Sequence, residues 1–119
     1  MLTVEQIKRQ AALLGADLCG IGDIAHFAGC DPQRDPVQVL PTATCVIGLG
    51  FRVPKALYDC MERGMQYYNY TSLGVKYIDE EFSEMTLLRM AALIENNGYD
   101  ACVQRNTSTL RIKGDKTQN

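Results

Sequence analysis

The sequence predicts an α+β fold: an α/β sandwich in which a short mixed sheet of about three strands is covered by helices, one of them long. Apolar residues recur at helical spacing near the start of the chain and again over Val75 to Asn97. Short apolar runs separate these stretches, and segments rich in proline, glycine or polar residues bound them. Helices that alternate with such strands are typical of a sheet covered on both faces.

The first helix and the first strand have clear boundaries in the sequence. Thr3, with Gln6 three residues later, forms a capping-box pattern, and Gly15 is a suitable residue to end the helix. The run "ADLCGIGD" then predicts a strand. Residues 25–41 contain three prolines, so we expect mostly loop there, with one short helical turn at Pro36 to Leu40.

The second half is predicted to contain two strands and two helices. The run Thr44 to Val53 predicts a buried central strand, and Pro54 is expected at the first position of a short helix. Residues 66–74, "QYYNYTSLG", are expected to form a tyrosine-rich linker before the long helix, which Gly98 ends. The run Ala101 to Arg105, "ACVQR", predicts a third strand.

Size and composition indicate one globular domain, residues 1–106, followed by a polar tail at 107–119. Apolar residues make up 46% of the chain and charged residues 22%, close to the average of globular proteins. The net charge is −2 and the basic residues are scattered, which argues against a nucleic-acid surface. No run approaches the ~20 apolar residues of a membrane helix, and the N-terminus lacks signal-peptide order. We therefore expect a cytoplasmic protein without a membrane partner.

The cysteines do not show a metal-binding pattern. None of the five lies in a C-x-x-C motif, so the spacing of zinc fingers and ferredoxins is missing. Cys19, Cys45 and Cys102 lie in apolar runs and are expected to be buried. Cys30 lies in a loop-like stretch and is a candidate reactive thiol. His26 has no partner at ligand spacing and is interpreted as structural.

Two glycine patterns resemble phosphate-binding loops but lack the required context. Gly20 to Ala25 fits G-x-G-x-x-A, yet it runs into "HFAGCDPQRDP" instead of a long helix. Gly48 and Gly50 are spaced correctly, but Val53 occupies the third glycine position. We therefore interpret Gly20 to Ala25 as part of a buried strand whose small residues allow close packing.

Gly48, Gly50 and Arg52 are nevertheless candidate binding residues. Glycines at alternate positions bare one face of a strand, on which a side-chain ring or a planar cofactor can lie. A neighbouring helix packed on the same face is the alternative. Arg52, at the strand's end, can bind a carboxylate, amide or phosphate, or it can be a solvated charge.

The tyrosines form a second candidate group. Tyr67, Tyr68 and Tyr70 crowd the linker, and Tyr77 follows shortly after it. Each offers a stacking face and a hydroxyl group. The cluster indicates a ligand or partner surface; anchoring of the linker in the core is the alternative.

Three stretches carry a resemblance to a known family: "LGADLCGIGDIAHF", "PVQVLPTATCVIGLGFRVP" and "YNYTSLGVKYIDEE…LIENNGYDA". Their order and spacing resemble the N-terminal region of epoxyqueuosine reductase and its paralogues, which are corrinoid and iron–sulfur proteins related to reductive dehalogenases. Typical members have a "GAD-x-x-GI" strand, an "LPGA-x-x-VI" strand, and a tyrosine-rich segment that leads into a long helix. The resemblance covers Leu13 to Val103.

This resemblance implies a nitroreductase-like domain that frames a corrinoid and substrate pocket. In such proteins, 4Fe-4S clusters on a later ferredoxin-like segment pass electrons to cobalamin, which carries out a two-electron reduction. The chain is then expected to be an N-terminal fragment whose partner is the remainder of its own polypeptide, and which is inactive alone. No catalytic residue is carried over. The implied cofactor-binding residues are Gly48, Gly50, Arg52, Tyr68, Tyr70 and Tyr77.

Several positions depart from the family pattern. Thr42 stands where "LPGA" has glycine, and Ile78 follows Tyr77 where epoxyqueuosine reductase tends to have histidine. A divergent paralogue is therefore expected. Two alternatives stay open: a non-enzymatic module that dimerises through its tyrosine surface, and a flavin- or nucleotide-binding domain.

Overall fold

A computed structural model describes residues 2–65 and 68–104 of the chain. It combines helices with a small antiparallel sheet, so the mixed α+β class is confirmed. In chain order the elements are α1 (Val4–Leu13), β1 (Leu18–Asp23), three 3₁₀ turns (Ile24–Phe27, Pro32–Arg34 and Pro36–Gln38), β2 (Cys45–Gly50), α2 (Lys55–Glu62), a π-helical segment (Tyr70–Phe82) and α3 (Ser83–Asn96).

Helix α1 begins and ends as its sequence predicts. The Gln6 N–H donates to the Thr3 hydroxyl over 3.2 Å, and the Thr3 N–H donates to Gln6 Oε1 over 2.9 Å, which completes the capping box. Leu14 is the C-cap residue, and Gly15 follows with a φ of +106°. Only glycine adopts such a backbone without strain, so this helix stop is confirmed.

Strands β1 and β2 pair antiparallel, from Leu18 opposite Gly50 to Asp23 opposite Cys45. Among the described residues the sheet has these two strands only. Residues 101–104 have no regular secondary structure, and Arg105 lies outside the described residues. The predicted third strand is therefore not confirmed.

The connection between the strands contains three helical turns where one was predicted. Each turn begins after an aspartate whose carboxylate accepts a hydrogen bond from the backbone N–H two residues later. The distances are 2.9 Å for Asp23, 3.0 Å for Asp31 and 3.1 Å for Asp35. These side-chain bonds replace the missing intrahelical partners at the start of each turn and keep a proline-rich segment ordered.

The second half is more helical than predicted. Pro54 is the N-cap of α2 and not its first residue. The tyrosine-rich stretch was predicted to be a linker as far as Gly74, but the chain is π-helical from Tyr70. Such a winding is rare and usually a single turn, so apolar periodicity gave no indication of it. The predicted stop after α3 is confirmed, because Gly98 has a φ of +89°.

The core is small and lies on one side of the sheet. Ala11, Ala16 and Met90 form its buried centre. Partly buried residues from α1, both strands and α3 surround it: Ile7, Leu14, Cys19, Leu49, Phe51 and Leu93. The expectation of buried strands covered on both faces was wrong, since none of the residues in β1 or β2 is fully buried. Within the described part of the chain, the core packs against the face from which Cys19 and Leu49 project.

Candidate functional site

The pairing of β1 with β2 places four glycines on one face of the sheet. Gly20 lies opposite Gly48, Gly50 lies opposite Leu18, and Gly22 lies opposite Val46. Side chains alternate between faces along a strand, and directly paired residues share a face. We call this surface, formed by Gly20, Gly22, Gly48 and Gly50, the glycine face.

The glycine face is open in the described structure. A Cβ atom added at Gly20 or Gly22 would meet no atom within 4 Å. One added at Gly48 would meet only the carbonyl oxygen of Gly20, at 4.0 Å. Gly50 is more crowded, because a Cβ there would lie 3.0 Å from the Cβ of Leu18, whose side chain is 74% exposed. The central Gly20–Gly48 pair is therefore bare backbone on both strands, while Leu18 and Val46 carry side chains on the same face at its two ends.

Arg52 follows Gly50 by two residues and extends the glycine face beyond the end of β2. Leu49 and Phe51 turn towards the core, and the Phe51 ring meets the Phe82 ring edge-on with 5.6 Å between centroids. By alternation the exposed Arg52 projects on the opposite side, next to Gly50. Its backbone N–H donates to the carboxylate of Asp17 over 2.7 Å, which fixes the chain where it leaves β2.

The tyrosines are distributed differently from the glycines. Tyr68 is 69% exposed and Tyr77 is 53% exposed, so both rings have a face in contact with solvent. Tyr70 is partly buried and packs on Tyr58, with ring centroids 4.8 Å apart. A Cβ atom added at Gly20, Gly22 or Gly48 would meet no tyrosine within 4 Å. Tyr67 lies outside the described residues.

The Tyr58–Tyr70 pair has an electrostatic consequence. The Tyr58 hydroxyl donates a hydrogen bond to Tyr70, and this bond, together with the charge of the Tyr70 phenol when it ionises, raises the pKa of Tyr58 above its usual value. The pair is close to the end of β2, because a Cβ added at Gly74 would lie 3.2 Å from Val53 Cγ1 and 3.6 Å from the Tyr70 ring. Gly74 therefore lets the π-helical segment approach the chain just after β2.

A separate cavity of about 830 Å³ lies on the other side of the sheet. Its wall includes Ile47 and Leu49 of β2 and Met90 and Ile94 of α3. None of the six predicted cofactor-binding residues, all of which are described, lines it. The structure thus brings Gly48, Gly50 and Arg52 together on one face of the sheet. The cavity lies on the opposite face.

The thiols are more exposed than expected. Cys45 and Cys102 are exposed, so the prediction that they are buried was wrong, and Cys19 is only partly buried. Cys45 and Cys102 line the wall of the cavity, which explains why their apolar surroundings do not cover them. Cys30 is partly buried as well. Within residues 2–65 and 68–104, no three His, Cys, Asp or Glu side chains come together to hold a metal ion.

Sequence reasoning missed two members of the glycine face. Gly20 and Gly22 had been interpreted as a failed nucleotide motif in a buried strand. A useful indication was present, since "GIG" and "GLG" both place glycines at alternate positions of predicted neighbouring strands. Register decides whether two such stripes fall on one face, and the sequence did not specify the register.

Comparisons of this chain with protein-family models, with curated proteins and with solved structures found no match. None of the helices in the described part of the chain combines the length and the apolar character that crossing a membrane requires.

Proposed function

We propose that this chain is the corrinoid- and substrate-pocket domain of an iron–sulfur-dependent reductase-like protein, which works in the cytoplasm. The observation that supports the proposal is the open glycine face, because bare backbone allows a flat ring system to approach closely. The resemblance of Leu13 to Val103 to the epoxyqueuosine reductase family supplies the identity of the ring, a corrin. The two-electron reduction belongs to the whole protein and not to this domain alone.

The dimensions of the glycine face suit a planar group. Gly22 and Gly50 lie at opposite ends of the patch, four residue steps apart along the paired strands. With a rise of about 3.3 Å per residue and about 4.8 Å between strands, the four glycine positions span an area roughly 13 Å long and 5 Å wide, with the Leu18 and Val46 side chains at diagonally opposite corners. Arg52, at the Gly50 end, is placed to hold an amide or phosphate substituent at the edge of the ring.

The exposed phenols complete the proposed pocket at a distance. Tyr77 can stack on or donate to a group that extends beyond the sheet, and Tyr68 offers an exposed ring face, while Tyr70 supports the π-helical segment through Tyr58. π-Helical turns are frequent at functional sites, in keeping with this assignment. In the family that this chain resembles, the iron–sulfur clusters are held by a later ferredoxin-like segment, which the proposal assigns to the rest of the polypeptide.

Cobalamin titration followed by visible absorption tests the proposal. We expect saturable binding to the purified chain, and a loss of affinity of about tenfold or more in Gly48→Val and in Gly20→Val, because their branched side chains would lift the ring off the backbone. Both substitutions meet open space and valine favours strands, so the fold should persist. Ala28→Val, on the exposed connection away from the sheet, is the matched control.

The outcomes separate the proposal from its closest alternative. Absence of saturable cobalamin binding to the folded chain would refute the corrinoid assignment. If flavin binds instead and Gly48→Val abolishes that binding, the glycine face is a site for a planar ring but the ring is not a corrin. If cobalamin binds equally to all variants, the glycine face is not the site.

A non-enzymatic interaction module is a second candidate, favoured by one observation. Met85, Leu88 and Ala92 lie at helical spacing on α3 and are all exposed, so they form an apolar stripe suited to a partner or a second copy. Light scattering tests this function: a dimer that Leu88→Lys converts to a monomer would support it. Ala56→Lys places the same charged side chain at an exposed position of a different helix, α2, and is the control.

A further inference from the structure

The cavity on the side of the sheet opposite the glycine face is large and mostly apolar. It has a volume of about 830 Å³, within the range of protein ligand pockets. Aliphatic side chains from β2, α3 and the connection form its wall: Val39, Leu40, Ile47, Leu49, Met90 and Ile94. Leaving so large an apolar concavity in contact with water is unfavourable, so an occupant is expected.

The described chain ends on the wall of this same cavity. Every residue from Tyr99 to Gln104 lines it, and Gln104 is the last described residue of the chain. Residues 105–119 follow Gln104 directly in the sequence. The segment is tethered to the cavity, which makes docking an intramolecular event with a high effective concentration.

The sequence of that segment contains one short pattern suited to an apolar wall. Leu110 and Ile112 are its two large apolar residues, and they alternate with Arg111 and Lys113. In an extended chain, alternate residues share a face, so the two apolar side chains project together while the basic ones project to solvent. Leu110 is six residues beyond Gln104, which allows a reach of up to about 20 Å. The pair can therefore reach the aliphatic wall.

We propose that the cavity is the docking site of the chain's own C-terminal segment, residues 105–119, with Leu110 and Ile112 as its apolar anchors. This inference is independent of the proposed function, because it concerns the opposite face of the sheet and none of the six proposed cofactor-binding residues.

Two thiols on the wall provide a direct assay. Cys45 and Cys102 are exposed in the described structure and line the cavity, so a docked segment would shield them from reagents. Cys60 on α2 is partly buried, is not among the described residues that line the cavity, and serves as an internal reference. Alkylation of the full chain by iodoacetamide, followed by peptide mass spectrometry, gives a rate for each thiol.

The test compares two double variants of the full chain with the unaltered protein. Leu110→Asp with Ile112→Asp should speed alkylation of both cavity thiols by about tenfold, because two charges disfavour docking on an apolar wall. Thr117→Asp with Gln118→Asp adds the same charge to the same segment outside the apolar pair, and should leave the rates unchanged. The rate at Cys60 should be the same in all three proteins.

Three results would overturn the proposal. Equal rates at the cavity thiols in the unaltered protein and in the apolar-pair variant would show that the segment does not cover the wall. Shielding that weakens on dilution of the unaltered protein would assign the cavity to a second copy. If the aspartates also accelerate alkylation of Cys60, they disturb the fold as a whole, and the test is repeated with the milder double variant Leu110→Ser with Ile112→Ser. Unchanged alkylation rates at the cavity thiols in that variant would also refute docking.

Discussion

Replacing Thr86 with valine tests the contact that joins α3 to the end of α1. The Thr86 side chain is 3% exposed, and its hydroxyl donates to the carbonyl oxygen of Leu14 over 2.9 Å. Leu14 is the C-cap of α1, where carbonyl groups have no intrahelical partner. Valine keeps the shape but leaves this carbonyl unsatisfied in a buried place, which should lower the free energy of unfolding by about 1–3 kcal/mol.

Urea unfolding followed by circular dichroism measures this change, provided that the slope of the transition is the same in both proteins. In a domain of this size each kcal/mol also corresponds to about 4 °C in Tm. Thr86→Ser is the control, since it removes a methyl group but keeps the donor. If serine destabilises the protein more than valine does, packing of the methyl group and not the hydrogen bond holds the two helices together.

Two further predictions concern other local contacts. Gly15→Ala should destabilise the protein more than Gly98→Ala: both place alanine at positive φ, at a cost of about 1–2 kcal/mol, but only at Gly15 would the Cβ lie 2.6 Å from Phe82 Cζ. Equal losses in urea unfolding would mean that the Phe82 ring moves aside freely. Tyr70→Phe should lower the pKa of Tyr58 towards its usual value, as measured by ultraviolet titration of the phenols, because the hydrogen bond is lost. Since the folded-state pKa is raised, the pair's contribution to stability is present below about pH 10 and is lost as the pH rises through the pKa of Tyr58; an unchanged Tyr58 titration would contradict this reasoning.

Local sequence patterns predicted three helix boundaries correctly: the start and end of α1 and the end of α3. The capping box of Thr3 and Gln6 requires only residues within one turn, and so does the glycine stop at Gly15. The same holds for Gly98 after α3. In each case one side chain, or the lack of one, decides the backbone conformation, so no tertiary information is needed.

Features that depend on distant parts of the chain could not be predicted in this way. The apolar run around Cys45 suggested burial, yet its face of the sheet opens into a cavity. Gly20 joins the glycine face only because β1 pairs with β2 in one particular register, across a long connection. The sequence indicated the glycines of β2 and Arg52 as part of the candidate site. It did not indicate that Gly20 and Gly22 of β1 share their face, or that the tyrosines lie apart from the glycine face.

The glycine face also limits the stability of the fold. A two-stranded sheet is marginal alone, so the pair must be held by packing on the helices. Among the described residues, the buried apolar side chains of this core are Ala11, Ala16 and Met90. The four glycines contribute no side chains to that packing. A ligand that binds only the folded sheet would therefore add a large share of the total stability, about 2.7 kcal/mol at a concentration 100 times its Kd. If cobalamin binds the glycine face, it should raise the free energy of unfolding of the unaltered protein but not that of Gly48→Val. A stabilisation that persists in Gly48→Val would place the ligand elsewhere.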